Sequence, residues 1–494
     1  MPGLNFREDR SLALLTDQYE LTMAKAYWKN GLAEADACFQ MTFRRLPFQG
    51  GFVVLAGLEP LLEWLAHFRF SAGDLGYLDT LKDNGGHPLF EEPFLRYLEA
   101  MRFSCDVNAV REGTVVFPNE PLIRVQGPVI QAQLVESAVL NMLNFQSLVA
   151  TKAARCWLAA KGDAVVEFGL RRAQGPDGAL AASRAAYIGG CTGTSNTLAG
   201  KLFGIPVLGT HAHSWVMVFS HERDAFEAFS RAFPDNCVFL VDTYDTLQGV
   251  RNAIAVGREL KARGHRMVGV RLDSGDLAYF SVEARRMLDE AGLESSVVMA
   301  SNELDEYLIR SLKDQGAAIG AWGVGTKLVT AFDEPALGGV YKLTALRRRG
   351  GAWEPKLKLS EQTAKISVPG RHEVYRYFGR NGLFMADAIV DDGEPPERIE
   401  SIVDPNDPHH QKTLFGYTQA EPLLEPVMRE GKVLREPPGL PLVRQRVHRQ
   451  FELLHAGHKR FENPHVYPVG MSPRLQAIRE AMIHDLRRQA AAGE

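Results

Sequence analysis

Five cysteines in 494 residues, Cys38, Cys105, Cys156, Cys191 and Cys237, are too few and too scattered for a disulfide framework. None stands in a Cys-x-x-Cys pair, which also removes the commonest structural zinc pattern. No uninterrupted apolar stretch comes near the roughly 18 residues that a membrane helix requires. The opening residues, Met1 to Arg10, lack the apolar core of a secretory signal. An excess of one charge is missing too: 56 basic against 60 acidic residues leave a net charge of −4. No global field therefore draws nucleic acid, and an anionic substrate has to be gripped by local arginines. These absences lead us to expect a cytoplasmic enzyme, with no nucleic-acid or membrane partner.

What is present is a recurring pattern. Between Arg266 and Leu277 a short apolar run ends abruptly in Arg271, Asp273, Ser274, Gly275 and Asp276. A buried strand has no need of that crowded polar tail, whereas the carboxyl ends of parallel strands are where α/β proteins bind ligands. The same transition follows Val165–Phe168 (into Gly169, Arg171 and Arg172), Ile205–Leu208 (into Thr210, His211 and His213) and Val238–Val241 (into Asp242 and Asp245). It returns after Val297–Ala300 (into Ser301 and Asn302) and Ile319–Val324 (into Gly325 and Thr326). From residue 205 onward the runs recur about every thirty residues, the length of one strand and one crossover helix. Helical patterns over Thr246–Arg263 and Ser281–Glu290 fill two of the intervals. Six such strands predict an α/β fold built on a βα barrel with one active-site face.

Around that barrel the character of the chain changes. Leu14–Trp28 and Leu58–Phe68 read as amphipathic helices, 36–45 as a strand, and 104–130 as short antiparallel strands broken by Gly and Pro. Leu134–Ala160 reads as a long apolar helix leading into the barrel. Beyond Thr326, Gly339–Arg349, Lys356–Leu359, Lys365–Val368, Val374–Phe378 and Leu383–Val390 read as strands, 391–412 as loop, and the tail from Pro441 as helix. The expected division is 1–133, an N-terminal helical and β-rich unit; 134–345, the barrel; and 346–494, strands and helices that pack on the N-terminal unit.

Three constellations carry chemistry. His211 and His213 at one strand end invite a metal reading, but barrel metallohydrolases need further histidine or aspartate ligands, and the later ends offer Asp242, Asp273 and Ser301 without a histidine. Gly323, Gly325 and Thr326, with Gly338 and Gly339 downstream, can bring backbone N–H groups against a phosphate late in the strand series, where such sites are often found. Arg171 and Arg172, followed by a Gly-Pro-Asp-Gly turn, suit a phosphate or pyrophosphate.

Leu14–Met23, Glu167–Gly178, Gly209–Ser214, Val241–Asp245, Arg271–Asp276, Ser301-Asn302, Gly323–Thr326 and Leu337–Lys342 together resemble the nicotinate phosphoribosyltransferase family, in family order from residue 14 to 342. The resemblance implies a type II phosphoribosyltransferase fold, an incomplete α/β barrel with a β-rich companion domain drawn from both sides of it in sequence. It implies transfer of phosphoribose from 5-phosphoribosyl 1-pyrophosphate to nicotinate, coupled to ATP hydrolysis through a phosphorylated histidine and dependent on magnesium. On that likeness His213 is the phosphorylated residue, and His211 has no assigned role. Arg271 pairs with the nicotinate carboxylate, and Thr210 lines the same pocket. Phe168 stacks on the pyridine ring, and Tyr19 covers its other face from the partner subunit of a homodimer. Thr326, Gly323, Gly325, Gly338, Gly339, Ser301, Asn302, Arg171 and Arg172 hold phosphate and phosphoribosyl groups. Asp273 fits the ribose hydroxyls and is catalytic together with Asp242, while Asp242 and Asp276 are candidates for handling magnesium or pyrophosphate. The sister nicotinamide enzymes carry an aspartate in the segment that here reads Ser195 and Asn196, and a carboxylate there would repel nicotinate.

Overall fold

The computed structural model describes residues 11–361 and 366–492, in two compact units. In the unit of residues 149–335, four-residue apolar runs become strands because their side chains are buried: Val165, Phe239, Val270, Leu272, Val298, Trp322 and Val324 are almost fully enclosed. Six strands form one sheet in the order Gly193–Thr194, Ala164–Glu167, Ala321–Val324, Val297–Ala300, Gly269–Leu272, Val238–Leu240. Every pair is parallel, so crossover helices must return the chain. Gly175–Ile188, Thr246–Ala262, Leu277–Glu290 and Glu306–Asp314 lie between successive strands. Three of the strand-end aspartates are helix caps: Asp245, Asp276 and Asp305 accept from the backbone N–H of Gln248, Tyr279 and Leu308. The architecture is α/β.

One expected strand is corrected. Ile205–Leu208 makes a single parallel bridge, Val207 to Thr194, and the strand in this stretch of chain is Gly193–Thr194. Pro206 has no N–H to give a ladder, and Val207 and Leu208 are exposed. Their apolar character had suggested burial that they do not have.

The other unit joins the residues up to 148 with those from 336 onward. Its seven-stranded sheet is antiparallel and interleaves distant segments: Gly339–Arg347 pairs with Asp36–Phe43, which pairs with Ile123–Pro128, and Leu424–Arg429 pairs with Asp106–Val110. A six-stranded sheet contains His372–Phe378, Phe384–Asp391 and Val469–Met471. The expected domain boundaries shift accordingly. Residues 134–148 group with this unit, where the Ser147 hydroxyl accepts from Ala56 N–H at 3.1 Å. Residues 336–345 do so through the pairing with Asp36–Phe43. The 391–412 stretch is not all loop: Ser401–Val403 and Gln411–Thr413 pair as strands. Lys356–Leu359 forms no strand, and Glu354–Pro355 takes that place. Of the expected strand Lys365–Val368, Lys365 lies outside the described residues and 366–368 form no strand, Ser367 N–H donating to the Lys358 carbonyl at 3.4 Å.

At the centre of this unit Arg376 is clamped by Asp387, with Nε at 3.0 and 3.1 Å from its two oxygens and Nη2 at 2.6 Å. The Tyr467 hydroxyl donates to Asp387 at 2.9 Å, and Arg376 Nη1 donates to Gln450 at 3.2 Å. Phe384 and Phe117 lie over the guanidinium. Glu120, also fully buried, lies 4.0 Å from Arg376 Nη2. Burial, and then the Asp387 charge, push its carboxyl well above the ordinary range. All five cysteines are buried, and none forms a disulfide. Burial pushes the Cys38 and Cys237 thiols up to about 11, and those of Cys105 and Cys156 well above their ordinary value. Among the described residues no helix is long and apolar enough to cross a membrane.

Candidate active site

The carboxyl ends of three neighbouring strands meet in one polar network. Arg271, third residue of Gly269–Leu272, donates through Nη1 to the Thr210 hydroxyl, and its Nη2 lies 3.9 Å from Asp273. Asp273 takes a hydrogen bond from the Ser301 hydroxyl at the end of Val297–Ala300. Asp242, at the end of Val238–Leu240, accepts from Asp273 N–H at 2.9 Å and from the Ser274 hydroxyl at 2.6 Å. Asp242 thereby fixes the backbone that presents Asp273. Two polar atoms here are buried without a hydrogen-bond partner among the described residues, Arg271 Nε and Asp242 Oδ1. Burial draws the Arg271 guanidinium below its ordinary value, Asp273 and Asp242 oppose that shift, and nearby Arg171 adds to it. An arginine among such groups has donor capacity to spare for an incoming anion.

His213 opens the short helix His213–Met217. Its Nδ1 lies 3.1 Å from the Thr243 hydroxyl. Its Nε2 is 3.7 Å from Asp273 Oδ2, too far for a hydrogen bond. With 40% of its side chain exposed, it has one nitrogen oriented and the other open. His211, two residues earlier, is a different kind of residue. It is buried against Phe226, Phe229 and Phe239, and Nε2 accepts from Leu240 N–H at 3.3 Å. Burial pulls its pKa down to about 4. The two histidines do not converge, and among the described residues no group of three His, Cys, Asp or Glu is gathered to hold a metal.

Phe168 follows Ala164–Glu167, and its ring lies where a side chain on Gly323 would be: a Cβ there would sit 2.6 Å from the ring. Gly323 is therefore the floor under Phe168. Thr326 starts the four-residue helix Thr326–Val329 after Gly325, and its hydroxyl lies 3.4 Å from Glu303. Lys327 is committed to Asp305 at 2.6 Å. Asn302 and Glu303 both have positive φ, 84° and 36°. Two successive non-glycine residues in that region mark a strained turn at a strand end. Arg171 and Arg172 are exposed in the turn Leu170–Arg172. Asp276 is exposed, with Oδ1 used as a cap.

Tyr19, Gly338 and Gly339 belong to the companion unit. Tyr19 is half exposed on the helix Gln18–Lys29, and burial together with Glu136 and Glu20 pushes its hydroxyl pKa up. Gly338 has a φ of 70°, while a Cβ on Gly339 would meet Asn144 Oδ1 at 2.3 Å.

Thr243, Ser274 and Glu167 were given no role from sequence. The first two lie inside motifs already quoted, where small hydroxyls between aspartates were the available signal. Glu167 is fully buried and accepts from the Ser183 hydroxyl at 2.8 Å, from Thr194 and from Gly169 N–H. Nothing in a four-residue apolar run announces that.

A largely enclosed arginine and two carboxylates at the carboxyl ends of parallel strands, with a half-exposed histidine beside them, suit a group-transfer enzyme for an anionic substrate. The chain belongs to the nicotinate phosphoribosyltransferase family: it matches that family over residues 164–355, the family's N-terminal domain over 14–144 and its C-terminal domain over 371–479. It is 42% identical to the nicotinate phosphoribosyltransferase of Bacillus subtilis over 97% of both chains. It is 38% identical to that of Caenorhabditis elegans, over 96% of this chain and 94% of the other. The crystal structure of human nicotinic acid phosphoribosyltransferase superposes with a TM-score of 0.83 at 34% identity, covering 94% of this chain and 99% of that one. The nicotinate-nucleotide pyrophosphorylase of Pyrococcus furiosus shares the fold, with a TM-score of 0.67 at 24% identity.

Proposed function

We propose that this transferase joins nicotinate to 5-phosphoribosyl 1-pyrophosphate, in NAD salvage in the cytoplasm, and that ATP hydrolysis drives it through phosphorylated His213. The parallel sheet is read as the incomplete barrel of a type II phosphoribosyltransferase, with the interleaved antiparallel unit as its companion domain. The observation that carries the reading is Arg271: a buried guanidinium with Nη1 on Thr210 and Nε unpaired. That is the fork a planar carboxylate accepts.

In the reaction the pyridine nitrogen attacks the anomeric carbon as the carbon–oxygen bond to pyrophosphate breaks, and the electron pair leaves with pyrophosphate. No base is needed, since the nitrogen bears no proton. Positive charge grows on the sugar, and Asp273 and Asp242 stabilise it. Phe168 and, from a partner subunit, Tyr19 enclose the ring. Arg171 and Arg172 take the leaving pyrophosphate. Thr326, Gly323, Gly325, Ser301, Asn302, Gly338 and Gly339 hold the phosphoribosyl group. In the coupled step a histidine nitrogen of His213 attacks the terminal phosphorus of ATP, ADP departs, and water later releases phosphate. The unpaired Asp242 Oδ1 suits a divalent cation. Asp242, with Asp276 as a second candidate, would hold magnesium, which supplies charge neutralisation for phosphate groups.

The test offers nicotinate, nicotinamide and quinolinate side by side with 5-phosphoribosyl 1-pyrophosphate. Nicotinate mononucleotide should be the dominant product. Equal use of the amide removes the Arg271 assignment.

A further inference from the structure

We propose that His211 is a positioning residue: it docks the Gly209–His213 loop onto the free edge of the parallel sheet, and so sets where Thr210 and His213 stand. The inference rests on the roles just proposed for those two residues. Among the described residues Val238–Leu240 is the last strand of its sheet and pairs only with Gly269–Leu272. Backbone N–H groups along a strand point alternately to its two sides. Val241 N–H donates inward, to the carbonyl of Arg271 at 3.2 Å. Leu240 N–H therefore points outward, where the sheet has no further strand. His211 Nε2 takes that hydrogen bond at 3.3 Å, so a side chain completes what a neighbouring backbone would have done.

The acceptor role fixes the ring's chemistry. Nε2 accepts, so the proton of the neutral imidazole is on Nδ1, which faces the carbonyl of Ala212 at 3.4 Å. Phe226, Phe229 and Phe239 surround the ring and leave it little freedom to turn. The anchor is flanked in sequence by two groups that need exact placement. Thr210 accepts from Arg271 Nη1 and donates to the His211 carbonyl at 3.0 Å. His213 Nδ1 lies 3.1 Å from the Thr243 hydroxyl. Thr210 and His213 thus hang on either side of one buried anchor, at a position the family resemblance leaves without a role.

The experiment compares His211→Phe, which fits the aromatic surroundings but cannot accept, with His211→Gln, whose amide oxygen can. A buried donor left unpaired corresponds to about a fivefold to hundredfold change in an equilibrium. His211→Phe should raise the KM for nicotinate within that range and lower the nicotinate mononucleotide formed per ATP hydrolysed. The KM for 5-phosphoribosyl 1-pyrophosphate should stay within about twofold, and His211→Gln should restore most of the loss. Equal impairment in both variants, or an unchanged nicotinate KM in His211→Phe, overturns the proposal. Hydrogen exchange on the wild-type enzyme gives a second reading that needs no variant to fold. The Leu240 amide should be protected, and exchange at the rate of an open strand edge also overturns it. If the wild-type enzyme makes no nicotinate mononucleotide, the functional reading falls, while the exchange measurement still decides whether the anchor exists.

Discussion

Arg376 and Arg271 each stand near two carboxyl groups, one in each unit, and their surroundings are opposite. Arg376 is fully buried, held in a fork by Asp387, covered by aromatic rings and joined by Glu120, whose carboxyl burial pushes well above its ordinary range. Arg271 has one side-chain hydrogen bond, to Thr210, a carboxylate held off at 3.9 Å and an unpaired Nε. The first arrangement has spent its hydrogen-bonding capacity on the fold. The second has kept some in reserve, which is what a binding site requires. The same residue types therefore serve cohesion or recognition according to whether their last donors are filled from inside the chain.

The sharpest way to break this contrast is Arg376→Ala. It should cost about 3–5 kcal/mol of stability by leaving Asp387 charged and alone in the interior, seen as a large fall in the urea midpoint. Arg271→Ala should leave that midpoint within about 1 kcal/mol of wild type. It should lose about 2–5 kcal/mol of substrate discrimination instead, at least a thirtyfold fall in kcat/KM for nicotinate. If the two variants behave alike, the contrast is wrong.

His213→Ala extends the contrast within the site: ATP hydrolysis and ATP stimulation should vanish while slow, ATP-independent synthesis continues. An intact ATP response would remove His213 from the coupling. A smaller signal tests whether Tyr19 serves a partner's Arg271. Tyr19→Ala and Arg271→Ala, each nearly inactive alone, should on co-refolding recover about a quarter of wild-type activity, because half the dimers are mixed and half of their sites are intact. No recovery, with mixed dimers shown by pull-down, would place Tyr19 in its own subunit's site.

The smallest effect concerns the sealed cluster. A carboxyl raised in the folded state keeps its proton while the unfolded chain loses it near 4.5. Its contribution is therefore full below 4.5 and declines as pH rises towards the folded value. Glu120→Gln should flatten that decline, so that its stability relative to wild type is higher at pH 8 than at pH 5. A variant less stable at pH 8 than at pH 5 by the same margin as wild type would show that Glu120 is not the source. His211, lowered to about 4, acts with the opposite sign: its contribution is full above 6.5 and is lost as pH falls towards 4.

Much of this was legible from apolar runs and their ends. Val297–Ala300 forms a strand with the bounds its composition suggests, and Arg271, Thr210, Asp273, Asp242, Ser301 and His213 meet although up to 91 residues separate them. Strands of this kind are read well because burial on both faces demands unbroken hydrophobicity. Ile205–Leu208 shows where the inference fails, since an apolar run next to a proline can lie exposed at a sheet edge. Polarity at a strand end carries a second meaning at Asp245 and Asp276, whose side chains start helices. The anchor at His211 could not be read at all, because it depends on which strand is last in the sheet, and that order is a property of the folded chain. Sequence distance hid the unit boundary for the same reason: Gly339–Arg347 belongs with a strand about 300 residues earlier.

The five enclosed cysteines give the molecule an internal clock. A thiol reacts as its thiolate, and these are shielded and, for Cys38, Cys105, Cys156 and Cys237, raised by burial above the ordinary thiol value. Ordinary oxidants and thiol dyes should pass the native enzyme by and label only molecules that have opened. The count of modified cysteines in a stored sample would then record how often each part of the chain has been exposed, and each labelled position would date the opening of its own neighbourhood.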